Sequence, residues 1–191
     1  GHGASLCAMR ERNSVATSMG FTALDGLVMG KRPGTLDPGV VLYLLQDKGL
    51  SVEEVADMLH NQSGLLGVSG LSDDMRDLLG RSEARAREAV DLFIFRAVRE
   101  IGSLVAVLGG IDVLVFTAGI GENAGEVRAR IAEGLGWLGL RLDTGANDSG
   151  TTRISAPGSA VDVFVIPTDE ENVIARHTRD LLRTLDSSAS G

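Results

Sequence analysis

The sequence is poor in cysteine, proline and aromatic residues. It has one Cys, four Pro, one Trp, one Tyr and five Phe among 191 residues. The lone Cys7 excludes an internal disulfide and offers no metal-ligand spacing, so we expect a core or strand residue rather than a nucleophile. The scarcity of proline argues against a proline-rich linker. The scarcity of aromatic rings argues against a surface that stacks single-stranded nucleic acid.

Clusters of positive charge and long apolar runs are also missing. The net charge is −8, and no Lys/Arg cluster is long enough to form a basic patch, so nucleic acid is not an expected partner. The longest apolar runs, such as residues 112–117, are the length of a strand. None approaches the roughly 20 residues that a membrane span needs. With no visible signal peptide, we expect a cytoplasmic protein without membrane contact.

Glycine, in contrast, is abundant, with 25 copies. Glycine is favoured where the chain turns tightly or where backbone must approach a ligand closely. Residues 17–38 and 63–70 are rich in glycine, and residues 144–160 are rich in turn-forming residues. We therefore predict loops for these three segments.

Hydrophobic periodicity predicts the helices. Apolar residues recur every three or four positions towards Leu108, and Gly109 follows, which predicts one long helix. Ser51 followed by Glu54, and Thr168 followed by Glu171, have the capping-box pattern that opens a helix. These and shorter patterns predict helices at about 40–45, 51–59, 83–108, 127–135 and 168–185.

Short apolar segments bounded by turns predict the strands. Residues 4–17 predict two strands joined by a turn at 10–13, and residues 112–117 and 161–166 predict fully buried strands. Residues 136–142 lead into another short strand. Strands that alternate with helices in this order predict a layered α/β domain.

Residues 119–124 (GIGENA) form the sharpest local motif. Two glycines between a buried strand and a helix allow backbone N–H groups to face an anion. The segment also fits the dinucleotide pattern G-x-G-x-x-A, with Asp143 as the acidic partner. Against this alternative, Glu122 places a carboxylate where pyrophosphate would lie, and Asn123 resembles an ordinary helix cap. A turn without any ligand remains the third interpretation.

Other candidate residues are ambiguous when taken singly. Arg32, in a glycine-rich loop, could hold phosphate oxygens with its forked guanidinium, or could simply be solvated. Residues 74–76 and the acidic pair Glu170 and Glu171 are equally open, since carboxylates at a helix start usually offset the helix dipole. The three histidines share no spacing typical of a zinc site or a catalytic triad.

Taken together and in order, several segments resemble the acetate kinase family. They are residues 17–30, Arg32, 37–39, 63–70, 116–123 and 166–171. The resemblance spans residues 1 to about 185, and propionate kinases share the same segments. Because several long matches in register are more specific than one loop, this resemblance outweighs the dinucleotide interpretation.

The resemblance implies a fold, a reaction and an assembly. The fold is α/β, of the actin-like ATPase (ribonuclease H-like) type shared by acetate and sugar kinases, heat-shock ATPases and actin. The reaction is Mg²⁺-dependent transfer of a phosphoryl group from ATP to acetate, giving ADP and acetyl phosphate. Propionate is the alternative substrate. A homodimer is implied as well.

The resemblance also assigns roles to particular residues. Arg32 matches the arginine that stabilises the transferring phosphoryl group, and Glu170 matches a carboxylate that helps hold Mg²⁺, beside Asp169 where the family usually has Asn. His2 stands where the family usually has Asn at the end of its first phosphate loop. The segments matching nucleotide-binding positions are Gly1, His2 and Gly3; Asp74, Met75 and Arg76; and Gly119, Ile120, Gly121, Glu122 and Asn123.

The same resemblance predicts the domain organisation. We expect residues 1–185 to form the family's C-terminal nucleotide-binding domain and residues 186–191 a disordered tail. The family's N-terminal domain, with its acetate pocket, is not among these 191 residues. Two further hypotheses are kept: a NAD-binding oxidoreductase domain built on residues 119–124 and Asp143, and a remnant that folds or dimerises without turnover.

Overall fold

The computed structural model describes residues 3–189, and the side chains of Glu170 and of residues 184–189 lie outside that description. The described chain forms four strands, nine helices and a 3₁₀ turn at Gly136–Leu138. The strands are β1 (Cys7–Arg10), β2 (Asn13–Thr17), β3 (Val113–Phe116) and β4 (Asp162–Val165). The helices are α1 (Pro38–Gln46), α2 (Val52–Asn61), α3 (Gly64–Ser69), α4 (Met75–Leu79), α5 (Ala84–Leu108), α6 (Ala118–Asn123), α7 (Gly125–Gly134), α8 (Thr144–Ser149) and α9 (Glu170–Ala189).

Helix α5 is the centre of the core, as its periodicity predicts. Nine of its 25 residues are buried, and it ends where Gly109 adopts a left-handed conformation (φ 78°). α5 contacts α3, α4, α7 and the hairpin of β1 and β2. Arg10, at the end of β1, donates a hydrogen bond from Nη2 to the Leu108 carbonyl (2.9 Å).

The described strands form two separate two-stranded sheets. β1 and β2 pair antiparallel around a turn at Glu11 and Arg12, which confirms the predicted hairpin. β3 and β4 pair parallel. β3 was expected to be fully buried, which is wrong: Val113 and Val115 are exposed, because only the face carrying Leu114 and Phe116 packs on the core.

The predicted loops contain short helices that the sequence pattern does not reveal. Residues 63–70 hold α3 and residues 144–160 hold α8. The turn expected at residues 119–123 likewise belongs to a helix, α6. α3 forms despite its glycines because Leu65 and Ser69 are fully packed, so tertiary contacts override weak local propensity. In place of the strand expected near 136–142, the chain makes the 3₁₀ turn and a single bridge between Leu142 and Ser155.

The two predicted capping boxes have different outcomes. Ser51 and Glu54 form the expected reciprocal pair at α2, with the Glu54 N–H donating to the Ser51 hydroxyl (3.1 Å) and the Ser51 N–H donating to Glu54 (2.7 Å). The box expected at α9 is wrong, because Asp169 instead accepts the Asn172 N–H (3.2 Å).

Helix α9 is longer than expected and exposed. It continues to Ala189, so the predicted disordered tail is helical as far as that residue; serine and alanine tolerate the extension once a helix has begun. Its described side chains are all exposed. None of the described helices combines the length and the apolar character needed to cross a membrane.

Gly64→Ala should destabilise the protein well beyond the ordinary cost of a left-handed residue. Gly64 has φ 64°, and an added Cβ would lie 2.1 Å from the Met29 carbonyl oxygen. Gly49 is the matched control, because it has φ 68° and no atom within 4 Å of an added Cβ. Gly49→Ala should lower the free energy of unfolding by about 1–2 kcal/mol, and Gly64→Ala by clearly more, as measured by urea denaturation. Equal losses in the two variants would contradict the packing described here.

Candidate functional site

A cleft of about 330 Å³ brings together segments that are distant in the sequence. Its walls come from the chain before β1, from the loop that precedes α1, from α3 and α4, and from α6. This volume lies within the range of small-molecule sites, about 300–1,000 Å³. The lining residues are Gly3, Ala4, Met29, Gly30, Leu65, Asp73, Asp74, Met75, Arg76, Gly119, Ile120, Asn123 and Ala124.

The cleft gathers most of the residues that the sequence analysis singled out. Seven of them line it: Gly3, Asp74, Met75, Arg76, Gly119, Ile120 and Asn123. Gly121 and Glu122 do not line it, although they belong to the same helix, α6. Gly1 and His2 lie outside the described residues, as does the side chain of Glu170 at the start of α9.

The α4 wall is organised by Asp74. Its carboxylate caps the helix by accepting the Arg76 N–H (2.8 Å), and it also pairs with the Arg76 guanidinium (3.1 Å from Nη2). Hydrogen bonds from the Arg76 side chain and backbone lower the pKa of the Asp74 carboxyl. The neighbouring Met75 is buried and anchors this turn in the core. α4 therefore presents a fixed pair of opposite charges to the cleft.

Arg32 is not among the residues that line the cleft, but its guanidinium lies next to Gly3, which does. Its Nη1 donates to the Ala23 carbonyl (2.6 Å), which folds the long loop back on itself. An added Cβ on Gly3 would lie 3.4 Å from Arg32 Nη2, so the guanidinium sits beside the entrance of the chain into β1. Backbone bonds fix the base of this loop on α3, with the Leu65 N–H donating to Met29 (2.9 Å).

Helix α6 forms the third wall and begins in an unusual conformation. Ala118 has φ 57°, a region that non-glycine residues rarely occupy. Glu122 Oε1 accepts the Ala118 N–H (2.6 Å) and the Thr168 N–H (3.0 Å), so the carboxylate binds backbone rather than pointing into the cleft. The role of Glu122 in nucleotide binding, implied by the resemblance, stays a prediction; its side chain holds the start of α6. Asn123 donates to the Gly119 carbonyl (2.8 Å) and does not cap the next helix.

Two residues that support this wall were missed at the level of sequence. Arg128, buried in α7, donates to the carbonyls of Gly121 and Glu122, and Asn147 in α8 accepts from the same guanidinium. The one available signal was the position of Arg128 three residues before Ile131, at the edge of the apolar face of the predicted helix. This position alone does not indicate whether an arginine is buried or exposed.

The dinucleotide alternative finds no support in this geometry. In a dinucleotide-binding domain, the acidic partner of the glycine-rich turn lies at the end of the strand that follows the next helix. Asp143 instead caps α8 by accepting the Ala146 N–H (2.9 Å), and the strand parallel to β3 is β4, which begins at Asp162.

No three His, Cys, Asp or Glu residues within the described part of the chain lie close enough to form a metal cage. Cys7 is an exposed strand residue in β1, and His60 and His177 are exposed on helices.

Glu122→Ala should lower the free energy of unfolding by about 1.5–3 kcal/mol, because two backbone donors lose a charged acceptor. Glu122→Gln is the matched variant, because it keeps an acceptor oxygen at the same place. Its free energy of unfolding should fall by less than about half of the loss in Glu122→Ala. Urea denaturation of the nucleotide-free protein measures both. Unchanged stability in Glu122→Ala would indicate that the carboxylate serves a ligand instead.

Asp74→Asn and Asp74→Ala should separate helix capping from charge. Asn also caps helices well, so Asp74→Asn should keep the cap. Asp74→Ala should lower the free energy of unfolding by about 0.5–2 kcal/mol at neutral pH. Since the folded pKa of Asp74 lies below its ordinary value of 3.8, its charge stabilises the fold above that pH and the contribution is lost as the pH falls through the folded pKa. Both variants should therefore show a weaker acid dependence of stability in denaturation from pH 7 to 2. An acid dependence equal to that of the parent protein would refute the Asp74–Arg76 interaction.

Comparison with known proteins matches this arrangement to one family. The Acetokinase family model matches residues 1–176. An acetate kinase of Rhodopseudomonas palustris is 59% identical over 179 residues, which are 93% of this chain and 45% of that protein. The crystal structure of Porphyromonas gingivalis acetate kinase is similar with a TM-score of 0.88 at 37% identity, covering 95% of this chain and 47% of that one. A propionate kinase structure from Francisella tularensis is similar with a TM-score of 0.84 at 39% identity, covering 89% and 44%.

The chain thus spans about half the length of the relatives that it matches. Its α/β architecture is the actin-like ATPase fold of these kinases, as the resemblance implied. The match extends from the first residue into α9 and includes every wall of the cleft. By sequence and by structure, the chain belongs to the acetokinase family.

Proposed function

We propose that this chain is the nucleotide-binding part of an enzyme that transfers a phosphoryl group from ATP to acetate, giving ADP and acetyl phosphate. The observation that carries the proposal is the cleft between Gly3, α4 and α6, because the three segments assigned to nucleotide by resemblance converge there. Membership of the acetokinase family supports the reaction class.

The walls of the cleft suit the two ends of ATP. We assign the adenosine to the side of Asp74, Met75 and Arg76, where a buried apolar side chain lies between two charged ones. We assign the phosphates to the side of Gly3 and Gly119, which have no side chain to keep a phosphate from the backbone N–H groups.

Arg32 and Glu170 are the proposed groups nearest the chemistry. Arg32 would stabilise the charge that develops on the transferring phosphoryl group, since its forked donors match phosphate oxygens. Glu170 would hold Mg²⁺, an ion that usually keeps several waters and takes only one or two protein carboxylates. When bound, Mg²⁺ supplies charge neutralisation at the phosphates. The neighbouring Asp169 accepts the Asn172 N–H (3.2 Å) at the start of α9.

The proposal extends to the acceptor substrate, to the half of the enzyme that this chain represents and to its assembly. The similarity to a propionate kinase structure makes propionate the second candidate acceptor. We propose that the chain corresponds to the C-terminal half of the enzyme, because the segments from residues 17–30 to 166–171 resemble, in the same order, those of the family's nucleotide-binding half. We also propose a cytoplasmic homodimer.

A chimera tests the function. The chain replaces the matching 179 residues of the Rhodopseudomonas palustris relative, and acetyl phosphate is trapped with hydroxylamine. We expect turnover with acetate and ATP. The 191-residue chain alone should bind Mg·ATP in calorimetry without turnover, because it spans about half the length of its relatives and the resemblance places the carboxylate pocket in the other half. Failure of the chain to bind ATP, or preferential binding of NAD, would overturn the proposal.

Arg32→Ala in that chimera should lower kcat by about 10²–10³-fold with little change in KM for ATP, because a preorganised donor acts mainly in the transition state. Arg99→Ala is the control, because it removes an exposed arginine of α5 that belongs to none of the segments assigned to nucleotide. An unchanged kcat with a raised KM would reassign Arg32 to ground-state binding.

A further inference from the structure

Helix α6 lines the cleft without being held by a buried residue of its own. None of its six residues is buried, although Ile120 packs partly against the core. Six residues are also too few for a helix to be stable alone. The position of this wall must therefore depend on contacts made at its two ends.

Polar groups hold both ends. At the beginning, the Glu122 carboxylate binds the backbone of Ala118 and of Thr168. At the other end, Arg128 Nη1 donates to the carbonyls of Gly121 (2.9 Å) and Glu122 (2.8 Å). These carbonyls belong to the last turn of α6, where a cation is favourable because the helix dipole is negative there.

The rest of the guanidinium is bound to α8. Arg128 Nε donates to Asn147 Oδ1 (2.8 Å), and Nη2 donates to the Asn147 carbonyl (2.9 Å). Asn147 in turn donates from Nδ2 to the Gly125 carbonyl (3.0 Å). Arg128 is 3% exposed and Asn147 is 4% exposed. One planar group thus joins three helices, α6, α7 and α8, inside the protein.

Burying a cation is unfavourable unless its donors are satisfied, and burial lowers the pKa of the Arg128 guanidinium. Its bonds go to carbonyl and amide oxygens, and it has no salt bridge to a carboxylate among the described residues. A methionine of similar length would fill the same space without the desolvation penalty. What only arginine provides here is a rigid fork that reaches oxygens on two helices at once.

We propose that Arg128, supported by Asn147, is a positioning residue for the nucleotide cleft, acting on the bound nucleotide through α6. It fixes the carbonyls of Gly121 and Glu122, and thereby places Gly119, Ile120 and Asn123 on the wall of the cleft. Its effect on nucleotide rests on the proposed function, whereas its effect on α6 does not.

The test uses the 191-residue chain and two measurements. Calorimetry with Mg·ADP gives Kd, and hydrogen exchange of the free chain gives the protection of amides 119–124. The variants are Arg128→Met, which removes every donor, and Arg128→Lys, which keeps the charge but not the fork. Arg130→Met is the matched control, because Arg130 is in the same helix and pairs with Asp91 at the surface. Val163→Ala, in the core of β4, controls for a general loss of stability.

We expect Arg128→Met to raise Kd by about tenfold or more and to speed exchange within 119–124, with a smaller effect for Arg128→Lys. Arg130→Met should leave both measurements unchanged, and Val163→Ala should lower Tm while leaving Kd within about twofold. If Arg128→Met does not fold, Arg128→Lys and Asn147→Ala decide by the same criteria.

Normal Kd and normal exchange in the folded Arg128 variants would overturn the inference. A loss of affinity in Val163→Ala equal to that in Arg128→Met would do the same, since the effect would then be only general stability. If the parent chain itself does not bind Mg·ADP, the proposed function fails. In that case exchange within 119–124 still decides whether Arg128 positions α6.

Discussion

The packing of α5 is the constraint on which the rest of the structure depends. Its nine buried residues form the middle of the core. α3 and α4 pack on it directly, α6 reaches it through α7, and the hairpin lies along it. The α4 wall and the α6 wall, which are distant in sequence, are therefore both positioned by α5, directly for α4 and through α7 for α6. Close packing makes such a support stiff, so the distance between these walls is set by side-chain volumes rather than by loop length.

The cleft itself is built from less stable parts. α4 and α6 have five and six residues, and α6 begins at Ala118 with φ 57°. Strained backbone persists only where its surroundings determine it fully. At α6 the Glu122 carboxylate and the buried Arg128 guanidinium do so in place of apolar burial, whereas α4 is anchored by the buried Met75. A wall without large side chains leaves backbone free to contact a ligand, and this explains why polar anchors, rather than core residues, fix its position.

The sequence predicted the elements that local patterns determine. α5, the hairpin, the two parallel strands and the Ser51 cap follow from periodicity and capping chemistry. α3 and α8 lie in segments predicted to be loops, and α6 lies where a turn is predicted, because glycine-rich segments become helical only through tertiary contacts. The residues around the cleft came from resemblance rather than from pattern. The hydrogen bonds of the Glu122 carboxylate could not be predicted, because its partner Thr168 is 46 residues away. The burial of Arg128 could not be predicted either, because its position in the helical pattern is a weak signal.

The central claim is that the cleft between Gly3, α4 and α6 binds an adenine nucleotide. A titration of the ¹⁵N-labelled chain with Mg·ADP, followed through its backbone amide resonances, tests this most directly. The account predicts saturable shifts confined to residues 3–4, 29–32, 73–76 and 118–124, the segments at the cleft. Shifts centred instead on the exposed surface of α9, or no saturable shift at any residue, would contradict it.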